Sequence, residues 1–183
     1  EAAHDELTGF VNRREFERRV AALLAAQRGK PVTHTLCYLD LDRFKLINDS
    51  EGHVAGDEIL RQVAAIVHEH IRGGDTIARI GGDEFAILLE HCDVEAACRI
   101  GETLVAAVNE FRFCWNGRIF RLDVSIGIAA IEPDHLDTSD ILRVADAACA
   151  AAKEAGGARV HVHRAHDREF EIRKLEEPTG IAT

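Results

Sequence analysis

The 183-residue chain carries a net charge of −10, and 46% of its residues are hydrophobic and 30% are charged. This size and composition suit one domain with a sizeable core. The acidic balance argues against binding to duplex nucleic acid, which needs a basic surface. No run approaches the roughly 18 apolar residues of a membrane span, so we expect no membrane contact by this segment.

Hydrophobic periodicity predicts helices that alternate with strands along the chain. Near the N-terminus, Asn12 or Asp5 could cap helical turns. The predicted elements are a helix at Asn12–Gln27, a strand at Thr33–Leu41, a helix at Val54–Ile71, strands at Thr76–Ile80 and Phe85–Leu89, a helix at Val94–Val108, strands at Phe111–Trp115 and Ile119–Ala129 joined at Asn116-Gly117, a helix at Ser139–Ala155 and a strand at Arg159–His163. This order favours an α/β sandwich with a mixed sheet.

The sequence Gly81-Gly82-Asp83-Glu84 lies between two of these strands and is predicted to form a hairpin tip. Glycine pairs allow positive φ in tight turns and leave room for a phosphate or base to approach the backbone. Asp83 and Glu84 then stand where a metal could meet that phosphate. Taken alone, such a turn could equally serve only to reverse the chain.

A second acidic cluster follows the first predicted strand. The segment YLDLDRFK, residues 38–45, runs from an apolar strand into two alternating acids, Asp40 and Asp42, and Asn48 and Asp57 follow. Together, LDLDRFKLINDSEGHVAGDEIL and ARIGGDEF closely resemble the GGDEF family of diguanylate cyclases. The resemblance extends from about Asp5 to Val162, and it is specific because several separated strings match in order.

The resemblance implies a central five-stranded mixed sheet wrapped by helices, like the palm of nucleotide cyclases and polymerases. We therefore expect a GGDEF domain over residues 1–163 and a helical tail or linker over residues 164–183. The implied reaction condenses two GTP molecules into cyclic di-GMP and two pyrophosphates. A second GGDEF domain is then needed, because one domain holds one GTP and the product is two-fold symmetric.

The resemblance also implies the metal ligands: Asp40, the Leu41 carbonyl, Asp83 and Glu84. Mg²⁺ (or Mn²⁺) suits these groups, because it prefers carboxylate and carbonyl oxygens. Glu84 or its bound water is a candidate for deprotonating the attacking hydroxyl. On the residues alone, Asp40 could instead cap a helix that begins near Phe44.

Asn48 and Asp57 resemble the guanine-reading residues of the family. An amide and a carboxylate can together address the edge of guanine but mismatch adenine. The backbone amides near Phe44 and Lys45 open a helix and could hold the β- and γ-phosphates. Gly81 and Gly82 are also expected to contact the substrate, because they leave space beside the backbone. As an alternative, Asn48 could end a short helix and Asp57 could cap the next.

Lys153 matches a phosphate-binding lysine in the family's AKxxGRN string, although a lysine at a helix C-terminus is also ordinary. Here the string is AKEAGGA, residues 152–158, so Gly157 replaces the usual basic residue and Ala158 the usual asparagine. One contact to the triphosphate is therefore expected to be missing. Arg159 is a candidate for a partial substitute.

Arg72 and Asp75 match the RxxD inhibitory motif through which many family members bind their own product. A guanidinium can hold phosphate or guanine bidentately, so the motif suits cyclic di-GMP. The alternative is an arginine at a helix end, before an ordinary Gly-Gly turn.

The cysteines, the C-terminal histidines and the lack of methionine carry further expectations. An odd number of cysteines, five, without a CxxC pair predicts reduced thiols in the cytoplasm. His161, His163 and His166 share strand spacing, but solvated histidines are favoured over a metal site. The absence of methionine suggests an excised piece of a longer protein, and the charged tail resembles a linker to an EAL phosphodiesterase domain. A catalytically weak GTP-binding module that regulates such a domain is the alternative to an active cyclase.

Overall fold

A six-stranded mixed sheet forms the centre of the fold in the computed structural model, which describes residues 2–27, 29–132 and 137–163. The strands are β1 Val11–Asn12, β2 His34–Asp42, β3 Thr76–Arg79, β4 Glu84–Leu89, β5 Arg112–Trp115, β6 Arg118–Arg121, β7 Asp123–Ile131 and β8 Val160–Val162. The helices are α1 Arg13–Gln27, α2 Phe44–Glu51, α3 His53–His70, α4 Val94–Glu110 and α5 Thr138–Glu154. The predicted fold class, a mixed α/β sheet wrapped by helices, is confirmed.

The strand order in the main sheet is β1-β3-β4-β2-β7-β8, and β5 and β6 form a separate hairpin. β2 pairs antiparallel with both β4 and β7, so it lies in the middle of the sheet. The sheet has one strand more than the expected five, because the two-residue β1 adds to its edge parallel to β3. Asn12 at the end of β1 then caps α1, accepting a hydrogen bond from the Glu15 amide at 3.0 Å.

The sheet separates two hydrophobic cores. One core contains Cys37, Leu39 and Leu41 of β2 together with residues of α3 and α4, whereas the other contains Leu36 and Tyr38 with residues of α1 and α5. Successive side chains of a strand point to opposite faces. Asp40 therefore continues the face of β2 that packs against α1 and α5.

The predicted strand Ile119–Ala129 is divided in the structure. The chain leaves β6 and enters β7 at Leu122, whose side chain is buried in the core that contains residues of α3 and α4. β6 pairs with β5 alone, whereas β7 joins the main sheet, so one continuous strand would not serve both sheets. The predicted turn at Asn116-Gly117 is confirmed, with φ angles of 47° and 74° that suit a two-residue hairpin.

Three of the five cysteines, Cys37, Cys92 and Cys149, are buried, whereas Cys114 on the β5–β6 hairpin is exposed, and all five are free thiols. None of the helices in the described ranges is both long enough and apolar enough to cross a membrane. The predicted tail, residues 164–183, and His166 within it lie outside the described residues.

Gly127 allows α5 to pack directly on the backbone of β7. A Cβ atom at this position would collide with the Ala145 carbonyl oxygen and the Cys149 amide nitrogen, both backbone atoms of α5. Backbone cannot move aside as a flexible side chain can, so the helix itself would have to shift. The small residues of the α5 face complete this close approach.

We therefore expect Gly127→Ala to lower the free energy of unfolding by about 3 kcal/mol or more, because it overpacks a rigid contact. Gly74→Ala is the matched control, since a Cβ there meets no atom within 4 Å. Urea unfolding of both variants measures the difference. Equal stability of the two variants would contradict the close packing of α5 on β7.

Candidate active site

The candidate acids meet at one end of the sheet because of how β2 pairs with its neighbours. Asp40 lies opposite Glu84 of β4 and opposite Ser125 of β7. The Leu41 amide also donates to the Asp83 carbonyl oxygen at 3.3 Å. The end of β2 and the turn that carries Asp83 are thus side by side, which a shared metal site of the kind implied by the family resemblance would require.

The turn between β3 and β4 depends on close packing rather than on positive φ angles. Neither Gly81 nor Gly82 has a positive φ, so this suggested reason for the glycine pair does not apply. A Cβ at Gly81 would lie 2.5 Å from Oε2 of Glu84, whose carboxylate folds back over the turn. Gly82 faces open space, which leaves room for a ligand near the backbone.

Arg79 supports this turn in a way that sequence reasoning missed. Its guanidinium donates to the carbonyl oxygens of Gly81 and Gly82, at 3.2 and 2.9 Å, and pairs with Asp5 at 3.1 Å. Burial pushes the pKa of Asp5 upward, but hydrogen bonds from Thr8 and the charge of Arg79 outweigh this effect and lower it. No local pattern could link Asp5 to Arg79, because the two residues are 74 positions apart.

Asp40 carries a charge that the protein compensates only in part. Its Oδ1 atom lies 2.9 Å from Nζ of Lys153, and its side chain is 20% exposed. Burial raises the pKa of Asp40 to about 6; the hydrogen bond from Lys153 opposes this rise, and the charges of Asp83 and Glu84 add to it. A partly compensated carboxylate beside other carboxylate and carbonyl oxygens fits Mg²⁺ or Mn²⁺.

The side chains do not form a complete metal cage by themselves. Within the part of the chain that the structure describes, no three His, Cys, Asp or Glu side chains converge on a common point for an ion. This arrangement is compatible with Mg²⁺, which usually takes one or two carboxylates and completes its shell with substrate phosphates and water. It also gives no support to a metal site at His161 and His163.

The alternative role of Asp40 as a helix cap is wrong. Arg43 occupies the N-cap position of α2 with a left-handed backbone, φ 58°, and the cap makes no side-chain hydrogen bond. Asp40 instead lies within β2, paired with Lys153. Its carboxylate is therefore available at the site.

Asn48 and Asp57 project from two consecutive helices. Asn48 is inside α2, and its Oδ1 atom is buried without a hydrogen-bond partner among the described residues. A Cβ at Gly56 would overlap this atom, so Gly56 makes room for the amide. Asp57 is exposed in α3 and does not cap it, because the N-cap residue is Gly52. A buried amide oxygen without a partner favours a ligand role, since such groups are costly.

Lys153 and the turn that follows α5 meet Asp42. Asp42 accepts hydrogen bonds from the Ser125 hydroxyl at 2.8 Å and from the Ala158 amide at 2.8 Å, and Lys153 Nζ lies 3.5 Å away. A Cβ at Gly157, which has φ 72°, would lie 2.8 Å from the Asp42 carboxylate. Gly157 thus suits this turn but adds no positive charge to it.

Ala158 also has a left-handed backbone, with φ 51°. Asparagine tolerates this conformation better than alanine, for which the left-handed backbone costs roughly 1 kcal/mol of conformational free energy. The asparagine of the family string would therefore adopt this backbone at a lower cost than Ala158 does. In this conformation the Ala158 amide donates a hydrogen bond to Asp42.

Arg72 and Asp75 fasten the α3–β3 turn to the end of β4. Arg72 pairs with Asp75 at 3.0 Å and donates to the Glu90 carbonyl at 3.1 Å, while the Glu90 amide donates to Asp75. The Asp75 side chain is 3% exposed, but that of Arg72 is 61% exposed and borders a recess of about 310 Å³ with His91. The pair thus has a structural role and still presents a guanidinium to solvent.

Comparison with known proteins places the chain in a family. Residues 2–159 match the family described as "Diguanylate cyclase, GGDEF domain". The chain is 42% identical over 162 residues to the probable diguanylate cyclase DgcE of Escherichia coli, and 34% identical over 169 residues to the cyclic di-GMP phosphodiesterase PdeB of Shewanella oneidensis. The match covers 88% and 92% of this chain but 15% and 19% of those relatives.

A solved structure shows the same architecture. The GGDEF domain of DgcB from Caulobacter crescentus, determined in complex with c-di-GMP, superimposes with a TM-score of 0.85 at 28% identity, covering 90% of this chain and 95% of that one. The chain belongs to the GGDEF domain family of diguanylate cyclases. It spans less than a fifth of the two curated relatives above.

The raised pKa of Asp40 predicts how the stability of the metal-free domain depends on pH. The unfolded carboxyl titrates near 3.8 and the folded one near 6, so the folded state binds more protons between these values. Stability should therefore fall as pH rises through this window. Asp40→Asn removes the titrating group, so its stability relative to the parent should increase from pH 4 to pH 7.

Chemical unfolding at several pH values, without divalent metal, measures this difference. Adding Mg²⁺ at pH 7.5 should stabilise the parent more than Asp40→Asn. Parallel pH profiles of the two proteins would contradict the partial compensation of Asp40.

Proposed function

We propose that this domain is an active diguanylate cyclase that condenses two GTP molecules into cyclic di-GMP. In each half-reaction the 3′-hydroxyl of one GTP attacks the α-phosphate of the other. The new P–O bond replaces the bond to the β-phosphate, so pyrophosphate leaves with that electron pair. The main support is the side-by-side placement of Asp40, Leu41 and the Asp83–Glu84 turn, with Lys153 adjacent.

We assign divalent-metal binding to Asp40, the Leu41 carbonyl, Asp83 and Glu84. When bound, Mg²⁺ or Mn²⁺ would neutralise phosphate charge and lower the pKa of the attacking hydroxyl. We assign the proton-accepting role to Glu84 or to its bound water; its carboxylate lies close to Gly81 in the β3–β4 turn, among the proposed metal ligands. Burial and the charge of neighbouring Glu84 raise the pKa of the Tyr38 hydroxyl. Tyr38 therefore remains neutral and cannot compete with Glu84 as the base.

Lys153 has two successive roles in this proposal. In the metal-free protein it compensates Asp40 and Asp42. A cation bound at Asp40 would take over that compensation, which frees the ammonium group to bind phosphate. The backbone amides at the start of α2, at Phe44 and Lys45, would hold the β- and γ-phosphates.

Asn48 and Asp57 would select guanine. The buried Oδ1 of Asn48 can accept from a guanine donor, and the Asp57 carboxylate can accept from N1 and N2. Adenine would leave these acceptors unpaired, which is the costly case. Because the product has two-fold symmetry, a second GGDEF domain would supply the other GTP. We place this reaction in the cytoplasm, where free thiols stay reduced.

A GTP-binding module that regulates an attached phosphodiesterase is the second candidate. Gly157 and Ala158 favour it, because the turn after α5 lacks the basic residue expected from the family string. The similarity to PdeB, a cyclic di-GMP phosphodiesterase, is consistent with such an arrangement in a larger protein. The two candidates differ in turnover, so turnover is the decisive measurement.

The parent domain, fused to a dimerising module and supplied with GTP and Mg²⁺, should produce cyclic di-GMP. Asp83→Asn should reduce the rate by at least about 100-fold, because it removes a carboxylate from the metal site. Glu69→Gln is the matched control, since Glu69 is exposed on α3 away from these acids. GTP binding without turnover in the parent would favour the regulatory module, and near-parent turnover by Asp83→Asn would contradict the metal assignment.

We further propose that Arg72 and Asp75 bind the product and mediate feedback inhibition. The exposed guanidinium and the adjoining recess support this role. Arg72→Ala should then remove product inhibition while the initial rate is preserved, because Arg72 lies at the opposite end of β4 from Glu84. Arg72→Lys should also weaken inhibition, since an ammonium cannot bind bidentately.

Because Arg72 also pairs with the buried Asp75, the folded state of both variants must be checked by circular dichroism. Inhibition curves with added cyclic di-GMP then give the result. An unchanged inhibition constant in folded Arg72→Ala would leave the pair with its structural role alone.

A further inference from the structure

A recess of about 470 Å³ lies beside Lys153 at the turn after α5. Its wall contains two cations, Arg43 and Lys153, two acids, Asp42 and Asp123, and the Gly157–Ala158 turn. It adjoins Asp40 through Lys153, which contacts both Asp40 and Asp42. The recess therefore continues from the proposed metal acids toward the turn that lacks a basic residue.

The two acids of this recess already have partners. Asp42 accepts from the Ser125 hydroxyl and the Ala158 amide. Asp123 accepts from the Asn109 amide at 2.7 Å and contacts Arg43 Nη2 at 3.3 Å. Hydrogen bonds from neutral donors disperse the charge of both carboxylates, which reduces their repulsion of an anion.

Arg43 is only loosely held. Its side chain is 74% exposed, and the contact to Asp123 uses one guanidinium nitrogen. Exposed ion pairs of this length are weak, and a guanidinium has five N–H donors. Arg43 can therefore keep Asp123 as an anchor and still donate to a second oxygen-rich group.

The backbone at Arg43 supplies an independent argument. Its φ of 58° is in the left-handed region, where glycine or asparagine would cost less. The side chain makes no capping hydrogen bond to α2, so no local contact of this kind offsets the free-energy cost of the left-handed backbone. A role in binding would account for an arginine at a position whose geometry favours glycine.

We propose that Arg43 supplies the phosphate-binding cation that position 157 lacks, and that it contacts the β- or γ-phosphate of GTP beside Lys153. This inference rests on the proposed binding of GTP. Lys153 alone would face a triphosphate next to Asp42 and Asp123, whereas Arg43 adds a bidentate donor on the same recess. In this proposal the positive charge is carried by the N-cap residue of α2 instead of by residue 157 in the turn after α5.

Arg159, the substitute considered from the sequence, is directed elsewhere. Its Nε atom donates to the Gly157 carbonyl at 3.0 Å, and the guanidinium packs near Gly156. It borders a different recess, between α4 and β8, together with Glu102 and Asn109. Arg159 thus braces the turn and does not line the recess beside Lys153.

The test is calorimetric binding of a GTP analogue with an uncleavable α–β bridge, of GDP and of GMP, all with Mg²⁺. Arg43→Gln should weaken binding of the GTP analogue by roughly tenfold and leave GMP within about twofold of the parent. Arg43→Lys should retain part of the affinity because it keeps the charge. Arg99→Ala is the control, because Arg99 is a similarly exposed arginine paired with Glu95 on α4.

The outcomes separate this inference from the proposed function. A parent domain that fails to bind the GTP analogue contradicts the proposed function, and this inference with it. Parent-like affinity of folded Arg43→Gln for the analogue overturns only the role of Arg43. An equal loss of affinity for the GTP analogue and for GMP also overturns it. GMP has no β- or γ-phosphate, so losing a contact to one of these phosphates cannot weaken its binding.

Discussion

The register of β2 between β4 and β7 is the constraint on which the candidate site depends. Pairing Asp40 with Glu84 and Ser125 sets the acids of β2 and of the β3–β4 turn side by side. A slip of one residue would turn every side chain of β2 to the other face of the sheet. Leu39 and Leu41 would then leave one core, and Asp40 would enter it. The hydrophobic pattern that fixes the core thus also fixes the position of the acids.

This placement costs electrostatic free energy, and the surrounding groups show how the fold tolerates it. Asp40 is largely buried and lies beside two other acids, so its pKa rises, and Lys153 opposes the rise only in part. Asp42, two residues along the same face, is instead satisfied by Ser125 and the Ala158 amide. Neighbouring carboxylates therefore differ in environment: Asp42 is held in a turn by hydrogen bonds from neutral donors, whereas the charge of Asp40 is only partly compensated by Lys153.

Local sequence patterns predicted most elements of the fold, because periodicity and turn residues are local signals. They placed the Asp83 hairpin and the end of β2 correctly as structural features, with the family resemblance supplying their roles. They could not show that Glu84 folds over Gly81, that Arg79 reaches Asp5, or that Leu122 divides a predicted strand. Each of these features depends on contacts between distant parts of the chain, which no single window of sequence contains.

The departure from the family string at Gly157 illustrates why a motif must be judged in its structure. Compared with the family string, Gly157 removes a positive charge. In the fold, however, Gly157 and Ala158 form a turn with left-handed backbone that packs against Asp42. The change lies in the turn after α5, beside Lys153, and leaves Asp40, Asp83 and Glu84 in place. A contact to phosphate remote from the reacting atoms contributes both to binding and to stabilising the departing pyrophosphate. Under the proposed function, the absence of a basic residue at position 157 would therefore affect both GTP affinity and rate, and the size of the effect would depend on whether another cation lines the same recess.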